Sequence, residues 1–346
     1  MFNRLKNFWQ RKKIAKLKKR YVFLLIIFLV IFLVLLIVYS IDVGSDEGIV
    51  YGVTYSHKYA QELGLNWQDA FSNMIDDLGV RNFRLMAYWD GIEQIPGQYD
   101  FSELDWLLRR AQYSGAQVIM VVGRRQPRWP ECHQPAWVED LSLTGQQAEE
   151  LNMIKNTVSY LKKYPNIVAW QVDNEPFLSV FGECLPVDKD FYQQKLDLVR
   201  SLDNRPTIMT DSGELSTWVT SANLNPILGT SIYRHVWNQY YGDFIYPMPP
   251  VYYYWKYRIL QRFTPLEEVF VSELQQEPWS DQELTKTSLA DQFASIDLDK
   301  FVKNIKYVEK IGFSKVYLWG AEWWYWLKVK QGDDGFWQAA KQVFNK

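Results

Sequence analysis

Residues 167–176 read IVAWQVDNEP, an apolar run that ends in three polar residues and a proline. The segment Ile167–Val172 has the length and the β-branched content of a buried strand. It places Asp173, Asn174 and Glu175 at the carboxyl end of that strand. An ordinary strand-end turn can have the same composition, so the neighbouring elements decide between a structural and a functional interpretation.

Strand-like and helix-like segments alternate through residues 49–346. Besides Ile167–Val172, strands are predicted at Ile49–Ser56, Val80–Tyr88, Val118–Val122, Pro206–Thr210, Ile227–Tyr233, Val269–Ser272 and Lys315–Trp319. Helices are predicted at 67–78 after Asn66, from a capping box at Ser102 to Gly115, and at 146–163, 188–202, 213–225, 252–263, 298–311 and 334–345. Eight strand–helix units predict an α/β fold, the (β/α)8 TIM barrel.

The alternative fold is a doubly wound open sheet, and two features favour the barrel. No glycine-rich phosphate turn follows the first strand, where a dinucleotide-binding fold would carry one. The joints from helix to strand are short, as at Gly79 and at 164–166. The joints from strand to helix are long, at 123–144, 234–251 and 273–297, and such loops build the active face of a barrel.

The first 41 residues have a different composition. Residues 1–20 contain nine Lys and Arg and no acidic residue, and Val22–Val38 is a run of seventeen apolar residues. About 20 apolar residues cross a hydrocarbon core. The pattern predicts a basic cytoplasmic tail (1–20), a transmembrane signal anchor in the lipid bilayer (21–41), a linker (42–48) and an extracytoplasmic domain (49–346) of a single-pass cell-membrane protein. A cleaved signal peptide is the alternative, with a small-residue site at 43–45.

The net charge and the cysteine and histidine residues indicate which ligands and which cellular compartment the domain suits. The whole chain has a net charge of −2, and removing the nine N-terminal cations leaves −11. Such an acidic domain does not favour nucleic acid. Cys132 and Cys184 both follow predicted strands, so they either pair in an oxidising compartment or remain free thiols. The three histidines are scattered and show no zinc-ligand spacing, and no metal or organic cofactor is expected.

A second carboxylate, Glu273, follows the seventh predicted strand in EVFVSELQQEP (268–278). Together with Glu175 it would place two carboxylates on opposite walls of one cleft. Glycoside hydrolysis uses such a pair, one as the acid that protonates the leaving oxygen and one as the nucleophile. Glu277 lies four residues further on and is the rival nucleophile, and Glu322 is a more distant candidate.

These motifs resemble the clan of (β/α)8 retaining glycoside hydrolases, nearest to cellulase-like family 5 and β-galactosidase-like family 42. The resemblance covers residues 49–345, and Asn174-Glu175-Pro176 is its most specific element. It implies that Asn174 contacts the sugar 2-hydroxyl, that Glu175 is the acid/base and that Glu273 is the nucleophile. Ser272-Glu273 departs from the family 5 pattern Thr-Glu-Phe-Gly, so the family and the substrate stay open.

The same resemblance assigns three further residues. Arg84, in NFRLMAYWDGIEQIPGQYDF (82–101), would hydrogen-bond the nucleophile, and Tyr233 would touch it as well. Trp319, in VYLWGAEWWYW (316–326), would form the aromatic floor of the sugar site. Arg84 as a buried ion-pair partner and Tyr233 as a core tyrosine are the structural alternatives.

The loop GRRQPRWPECHQPAW (123–137) follows the third strand on the expected active face. Trp129 could stack on a sugar ring and His133 could bind sugar hydroxyls, although both could instead pack the loop. Asp173 is expected to be structural, paired with Arg124 or Arg125. The sequence therefore predicts a membrane-anchored retaining β-glycoside hydrolase acting on an oligo- or polysaccharide. A transglycosylase with the same residues and a barrel that binds polysaccharide without cleaving it remain as alternatives.

Overall fold

Eight parallel strands close into a barrel in the computed structural model, which describes residues 2–44, 48–184, 187–238, 242–280 and 282–345. The barrel strands are β1 (Val50–Tyr55), β2 (Asn82–Met86), β3 (Gln117–Val122), β4 (Ile167–Val172), β5 (Thr207–Ser212), β6 (Ile227–Ile232), β9 (Glu268–Gln275) and β10 (Lys315–Trp319). Each strand pairs in parallel with its neighbours, and β10 pairs with β1. The predicted (β/α)8 barrel is confirmed, and the open sheet is excluded.

Helices follow the strands around the outside of the barrel. They are α2 (His57–Glu62), α3 (Trp67–Asp76), α4 (Trp89–Ile92), α5 (Ser102–Tyr113), α6 (Ala136–Glu139), α7 (Leu143–Leu161), α8 (Lys189–Leu202), α9 (Val219–Leu224), α10 (Pro250–Leu260), α11 (Leu289–Ser295), α12 (Leu298–Glu309), α13 (Ala321–Trp326) and α14 (Gly335–Phe344). A 3-10 turn at Leu284–Lys286 and a π-helical turn at Leu327–Gln331 add to these. The loop after β6 holds an antiparallel hairpin of β7 (His235–Asn238) and β8 (Gly242–Ile245), which the sequence analysis did not predict.

The barrel interior is packed with side chains from alternate strand positions. One small cluster inside the barrel consists of Ile119, Ala169, Ile208, Phe270 and Tyr317. Gly52 makes room for Tyr317, because a Cβ at this position would lie 2.7 Å from the tyrosine ring. Above this apolar layer, towards the carboxyl ends of the strands, the interior residues become polar, and these form the candidate site.

Two sequence predictions about element ends were wrong. The predicted capping box at Ser102 is absent, because Ser102 is the first helical residue of α5 and Phe101 occupies the N-cap position. The Ser102 backbone N–H donates to Asp100 Oδ1 at 2.8 Å. Glu273 does not end its strand, because β9 continues to Gln275. The pairing of β6 with β9 shifts between Thr230–Val271 and Ser231–Glu273, so Ser272 forms a β-bulge beside Glu273. Bulges of this kind re-aim side chains next to active sites.

A separate helix, α1 (Phe2–Ser40), precedes the barrel and contains both the predicted tail and the predicted span. Its segment Lys19–Ser40 is long and apolar enough to cross a membrane and is not buried against the barrel. A signal sequence would meet the same criteria. The end of α1 contacts the barrel, because the Tyr39 hydroxyl donates to the Pro247 carbonyl and the Val43 N–H donates to the Lys310 carbonyl at 3.1 Å.

Candidate active site

Arg84 organises the polar layer at the carboxyl ends of the strands. Its side chain lies on β2, is fully buried and donates three hydrogen bonds of 2.7 Å to three acceptors. The acceptors are Gln171 Oε1, Glu273 Oε1 and Asn174 Oδ1. A planar guanidinium can hold several acceptors in fixed positions, which a lysine ammonium cannot. Arg84 thereby fixes residues of β4 and β9 relative to each other.

Glu273 has one donor on each carboxylate oxygen. Arg84 Nη1 donates to Oε1 at 2.7 Å, and the Tyr233 hydroxyl donates to Oε2 at 2.8 Å. The ion pair with Arg84 is buried, since the two side chains are 0% and 6% exposed. A buried carboxylate stays ionised at low cost only where a cation and hydrogen-bond donors compensate the charge, and this site supplies both.

Glu175 lies next to Glu273 in a different environment. Its Oε1 accepts a hydrogen bond from the Ser231 hydroxyl at 2.7 Å, and Ser231 is the residue of β6 that pairs with Glu273. Burial raises the pKa of Glu175 well above its usual range, and the charges of Glu273 and Glu131 raise it further. A raised pKa lets a carboxyl group hold its proton to higher pH, which suits a general acid.

The turn that carries Glu175 is strained and is held by a buried ionic cluster. Asp173 and Glu175 have φ angles of +53° and +43°, which side-chain-bearing residues rarely adopt. Asp173 accepts the Arg125 N–H at 3.1 Å and pairs with the buried ammonium of Lys195, which also pairs with Glu150 at 2.6 Å. The prediction that Asp173 pairs with an arginine side chain was therefore wrong.

The expected arginines have other partners, which explains this difference. Arg125 pairs with Glu131 at 2.8 Å, and Arg124 lies 3.8 Å from Glu150. Lys195 projects from α8, more than twenty residues after Asp173, so no local signal in the sequence joins the two.

Glu131 is a third buried carboxyl group of the site, and the sequence analysis missed it. It pairs with Arg125, and the Asn174 amide donates to its Oε1 at 3.4 Å. Burial raises the pKa of Glu131 to about 7, against the opposing effect of Arg125. Its neighbour Cys132 forms a disulfide with Cys184, which ties the loop after β3 to the loop after β4. The position of Glu131 next to Cys132, within a loop already considered functional, was the available signal.

The two rival carboxylates of the sequence analysis lie together on Arg128. Glu277 Oε1 pairs with Arg128 Nη1, and Glu322 Oε2 pairs with Arg128 Nη2 at 3.0 Å. Trp319 joins this group, because its indole N–H donates to Glu277 Oε1 at 2.7 Å and its ring lies 4.0 Å from the Arg128 guanidinium carbon. Arg84 and Tyr233 thus donate hydrogen bonds to Glu273, while Arg128 forms ion pairs with Glu277 and Glu322.

The last two candidate residues lie further from the glutamate pair. His133 is buried, accepts or donates a hydrogen bond at 3.1 Å with the Arg128 carbonyl, and packs against the Tyr88 ring at 4.4 Å. His133 thus joins the loop after β3 to Tyr88, which follows β2. Trp129 lies at the rim with 58% of its surface exposed and contacts Phe181 edge-on at 5.7 Å. The structure thus brings together Arg84, Asn174, Glu175, Tyr233 and Glu273, with Trp319 adjacent.

The protein resembles known proteins in its structure. No family model matches the sequence, and no curated protein matches it. A GH5_18 structure from Streptomyces cattleya in complex with GlcNAc matches with a TM-score of 0.57 and 12% identity, over 80% of this chain and 70% of that chain. GH5_18 from Bifidobacterium longum matches with a TM-score of 0.56 and 13% identity, over 78% and 69%.

A family 10 endo-β-1,4-xylanase from Gloeophyllum trabeum matches with a TM-score of 0.51 and 17% identity, over 78% of this chain and 84% of that chain. These three proteins are named as glycoside hydrolases of family 5 or family 10. At these identities the likeness concerns the fold. The chain has the (β/α)8 barrel fold of the GH5_18 and family 10 glycoside hydrolases.

Proposed function

We propose that the protein is a retaining glycoside hydrolase that cleaves β-glycosidic bonds by double displacement. One observation carries the proposal. Two neighbouring buried glutamates have opposite environments, since Glu273 is held by the cation Arg84 and the hydroxyl of Tyr233, while burial raises the pKa of Glu175. Glycosidases of this type need one ionised and one protonated carboxyl group.

In the first step Glu273 attacks the anomeric carbon while Glu175 gives its proton to the glycosidic oxygen. The carbon–oxygen bond to the leaving group breaks, and a glycosyl ester of Glu273 forms. In the second step Glu175, now a carboxylate, takes a proton from water, and the water oxygen attacks the anomeric carbon. Glu273 leaves as a carboxylate, and its two donors stabilise the returning charge.

The same arrangement supports a proposal for the substrate class. The Asn174 side chain is fixed by Arg84 beside the glutamate pair, where it would contact the 2-hydroxyl of the bound sugar. Among the structural neighbours, a GH5_18 variant from Bifidobacterium longum is described in complex with Manb1-4GlcNAc, at a TM-score of 0.55. This supports a β-linked saccharide as the substrate class.

We place the barrel outside the cytoplasm, anchored by residues 21–41 with the N-terminus inside. The apolar segment Lys19–Ser40 and the preceding basic residues support this topology. The Cys132–Cys184 disulfide adds to it, because disulfides persist mainly in oxidising compartments. The substrate would then be a saccharide of the cell envelope or its surroundings. The intact mass of the protein purified from membranes distinguishes an anchor from a cleaved signal peptide.

Covalent trapping of the nucleophile tests the enzymatic proposal. The full chain in detergent is incubated with a panel of epoxide and aziridine sugars, followed by intact mass and peptide mapping. Labelling on Glu273 is expected. Glu273→Gly should lose hydrolysis and recover activity with azide, giving an inverted glycosyl azide, whereas Glu277→Gly serves as the matched control without rescue. Rescue in Glu277→Gly, or labelling elsewhere, would overturn the assignment.

Product analysis separates hydrolysis from transglycosylation. The two outcomes use the same residues and differ in whether water or a second sugar hydroxyl attacks the glycosyl ester. Products longer than the substrate at low substrate concentration would identify a transglycosylase. A protein that binds saccharides in a direct titration but is never labelled would be a non-catalytic barrel.

A further inference from the structure

We propose that Arg128 and Glu277 close the sugar pocket at one end and bind the hydroxyl groups of a chain-terminal sugar, so that the enzyme is exo-acting. This inference rests on the proposed glycosidase function and specifies its substrate as the end of a saccharide chain. The inference rests on the path of Arg128, the rigidity of its loop, two unpartnered polar atoms, their closeness to Glu273, and a row of aromatic rings along the rim.

Arg128 spans the mouth of the barrel. It belongs to the loop after β3, yet its guanidinium contacts residues that follow β9, β10 and β1. It pairs with Glu277 and with Glu322, and its guanidinium carbon lies 3.8 Å from the centre of the Tyr59 ring and 4.0 Å from that of Trp319. A loop from one side of the mouth thus covers the rim on the other side.

Several bonds fix the loop that carries Arg128. The Glu131 N–H donates to the Arg128 carbonyl at 2.7 Å, and His133 forms a hydrogen bond of 3.1 Å to the same carbonyl. Cys132 is joined to Cys184 by the disulfide. The wall formed by Arg128 is therefore part of the folded framework, unlike a long side chain lying on an exposed surface.

Two polar atoms of this wall have no partner in the described part of the chain. They are Arg128 Nε, a donor, and Glu277 Oε2, an acceptor, and both are buried. The two side chains are 9% and 8% exposed. Buried polar groups normally have hydrogen-bond partners, so an unpaired donor and an unpaired acceptor on neighbouring residues indicate a ligand group. Sugar hydroxyls both accept and donate, so they can satisfy a donor such as Arg128 Nε and an acceptor such as Glu277 Oε2.

The wall lies close to the catalytic glutamates. Trp319 donates to Glu277 Oε1 at 2.7 Å, the Trp319 ring lies 6.4 Å from the Tyr233 ring, and the Tyr233 hydroxyl binds Glu273. Two aromatic side chains thus separate Glu277 from Glu273. We infer that a saccharide bound at Glu273 meets Arg128 with its first residue.

A row of aromatic rings extends the wall along the rim. Trp129 contacts Phe181 at 5.7 Å, Phe181 contacts Trp279 at 5.6 Å, and Trp279 contacts Tyr233 at 5.4 Å. The row connects the loops after β3 and β4 with Trp279 after β9 and with Tyr233, which directly follows β6. We place the exit for the rest of the saccharide at the end of β5, because neither the described contacts of Arg128 nor this row of rings extend there.

The test compares two mechanism-based probes on the full chain in detergent. One is a set of monosaccharide epoxides in gluco, manno, galacto and xylo configuration. The other is the same set with a β-linked sugar on the 4-hydroxyl. A pocket closed by Arg128 should react with the monosaccharide probe and about 100-fold more slowly with the extended one. Equal or faster labelling by the extended probe would overturn the closed pocket while leaving the glycosidase intact. Labelling by neither probe would overturn the glycosidase itself.

Variants locate the recognition in Arg128 and Glu277. Glu277→Gln keeps the shape and removes the charge, and it should slow labelling by the parent probe about 10- to 100-fold. With a probe lacking the recognised hydroxyl at position 3 or 4, the same substitution should have almost no further effect. Arg128→Ala should speed up labelling by the extended probe. The exposed Glu283→Gln is the matched control and should change neither rate. Equal losses with the parent and both deoxy probes would refute the recognition role.

Discussion

Removing one oxygen atom, in Tyr233→Phe, tests how Glu273 is stabilised. The Tyr233 hydroxyl donates to Glu273 Oε2 at 2.8 Å, and Arg84 donates to the other oxygen. A hydrogen bond to a charged group contributes about 1.5–3 kcal/mol. Each 1.4 kcal/mol changes a rate constant about tenfold, so this bond corresponds to a factor of about 10 to 100.

The loss should appear mainly in the second chemical step. In the proposed mechanism Glu273 regains its full negative charge when the glycosyl ester breaks down, and an unpaired Oε2 then makes it a poorer leaving group. We expect kcat to fall about 10- to 100-fold, KM to fall as well, and the glycosyl-enzyme to accumulate. Stopped-flow measurements with an activated aryl glycoside and intact-mass detection of the ester check both effects.

A matched substitution serves as the control. Tyr55→Phe removes a buried hydroxyl that donates to the Trp67 carbonyl at 2.6 Å, away from the catalytic carboxylates. It should lower stability by about 1 kcal/mol and leave kcat within about threefold. If Tyr233→Phe kept kcat within threefold of the parent, or matched the effect of Tyr55→Phe, the inferred role of the hydrogen bond would be refuted.

Three further predictions concern charge and stability. Burial raises the pKa of Glu175, and the proposed mechanism uses its protonated form, so kcat/KM should fall as pH rises through that raised pKa. The charge of Glu131 contributes to the raised pKa, so Glu131→Gln should move this alkaline limb of the profile to lower pH. If the alkaline limb of the kcat/KM profile of Glu131→Gln stayed at the parent pH, the inferred effect of Glu131 on the pKa of Glu175 would be contradicted. Lys195→Met leaves Asp173 and Glu150 buried without their cation and should cost about 3–5 kcal/mol in denaturant unfolding, whereas Lys303→Met, which breaks an exposed pair, should cost less than about 1 kcal/mol. Replacing both cysteines by serine opens the link between residues 52 apart and should cost about 2–4 kcal/mol, so unchanged unfolding would exclude a stabilising disulfide.

The sequence was most informative where the signals are local. The strands Ile167–Val172 and Lys315–Trp319 were predicted with the observed bounds, because apolar runs between turn residues mark buried strands. The capping prediction at Ser102 failed because α5 begins at Ser102 itself, which leaves Phe101 at the N-cap position. The bulge at Ser272 was also missed, since register shifts depend on the partner strand rather than on the strand itself.

Some residues of the candidate site could be identified from the sequence, and others only from the folded structure. The sequence placed Glu175 and Glu273 at strand ends, and the resemblance of its motifs to glycoside hydrolases added Arg84, Asn174 and Tyr233. The sequence did not identify Glu131 and Arg128 as residues of the site, because their importance comes from burial and from contacts across the barrel mouth. For His133 the sequence left two interpretations, binding of sugar hydroxyls or packing within the loop, and its observed contacts are with the Tyr88 ring and the Arg128 carbonyl.

Local signals in the sequence were enough to predict the eight-stranded barrel, with one carboxylate just after its fourth strand and another near the carboxyl end of its seventh. Periodicity and turn residues act over a few positions, so these features can be derived without coordinates. Only the folded chain shows that Arg128 reaches Glu322 across the mouth of the barrel and that Lys195 pairs with Asp173. Burial and distance set the environment of each carboxyl group, and both quantities exist only once the chain has closed into the barrel.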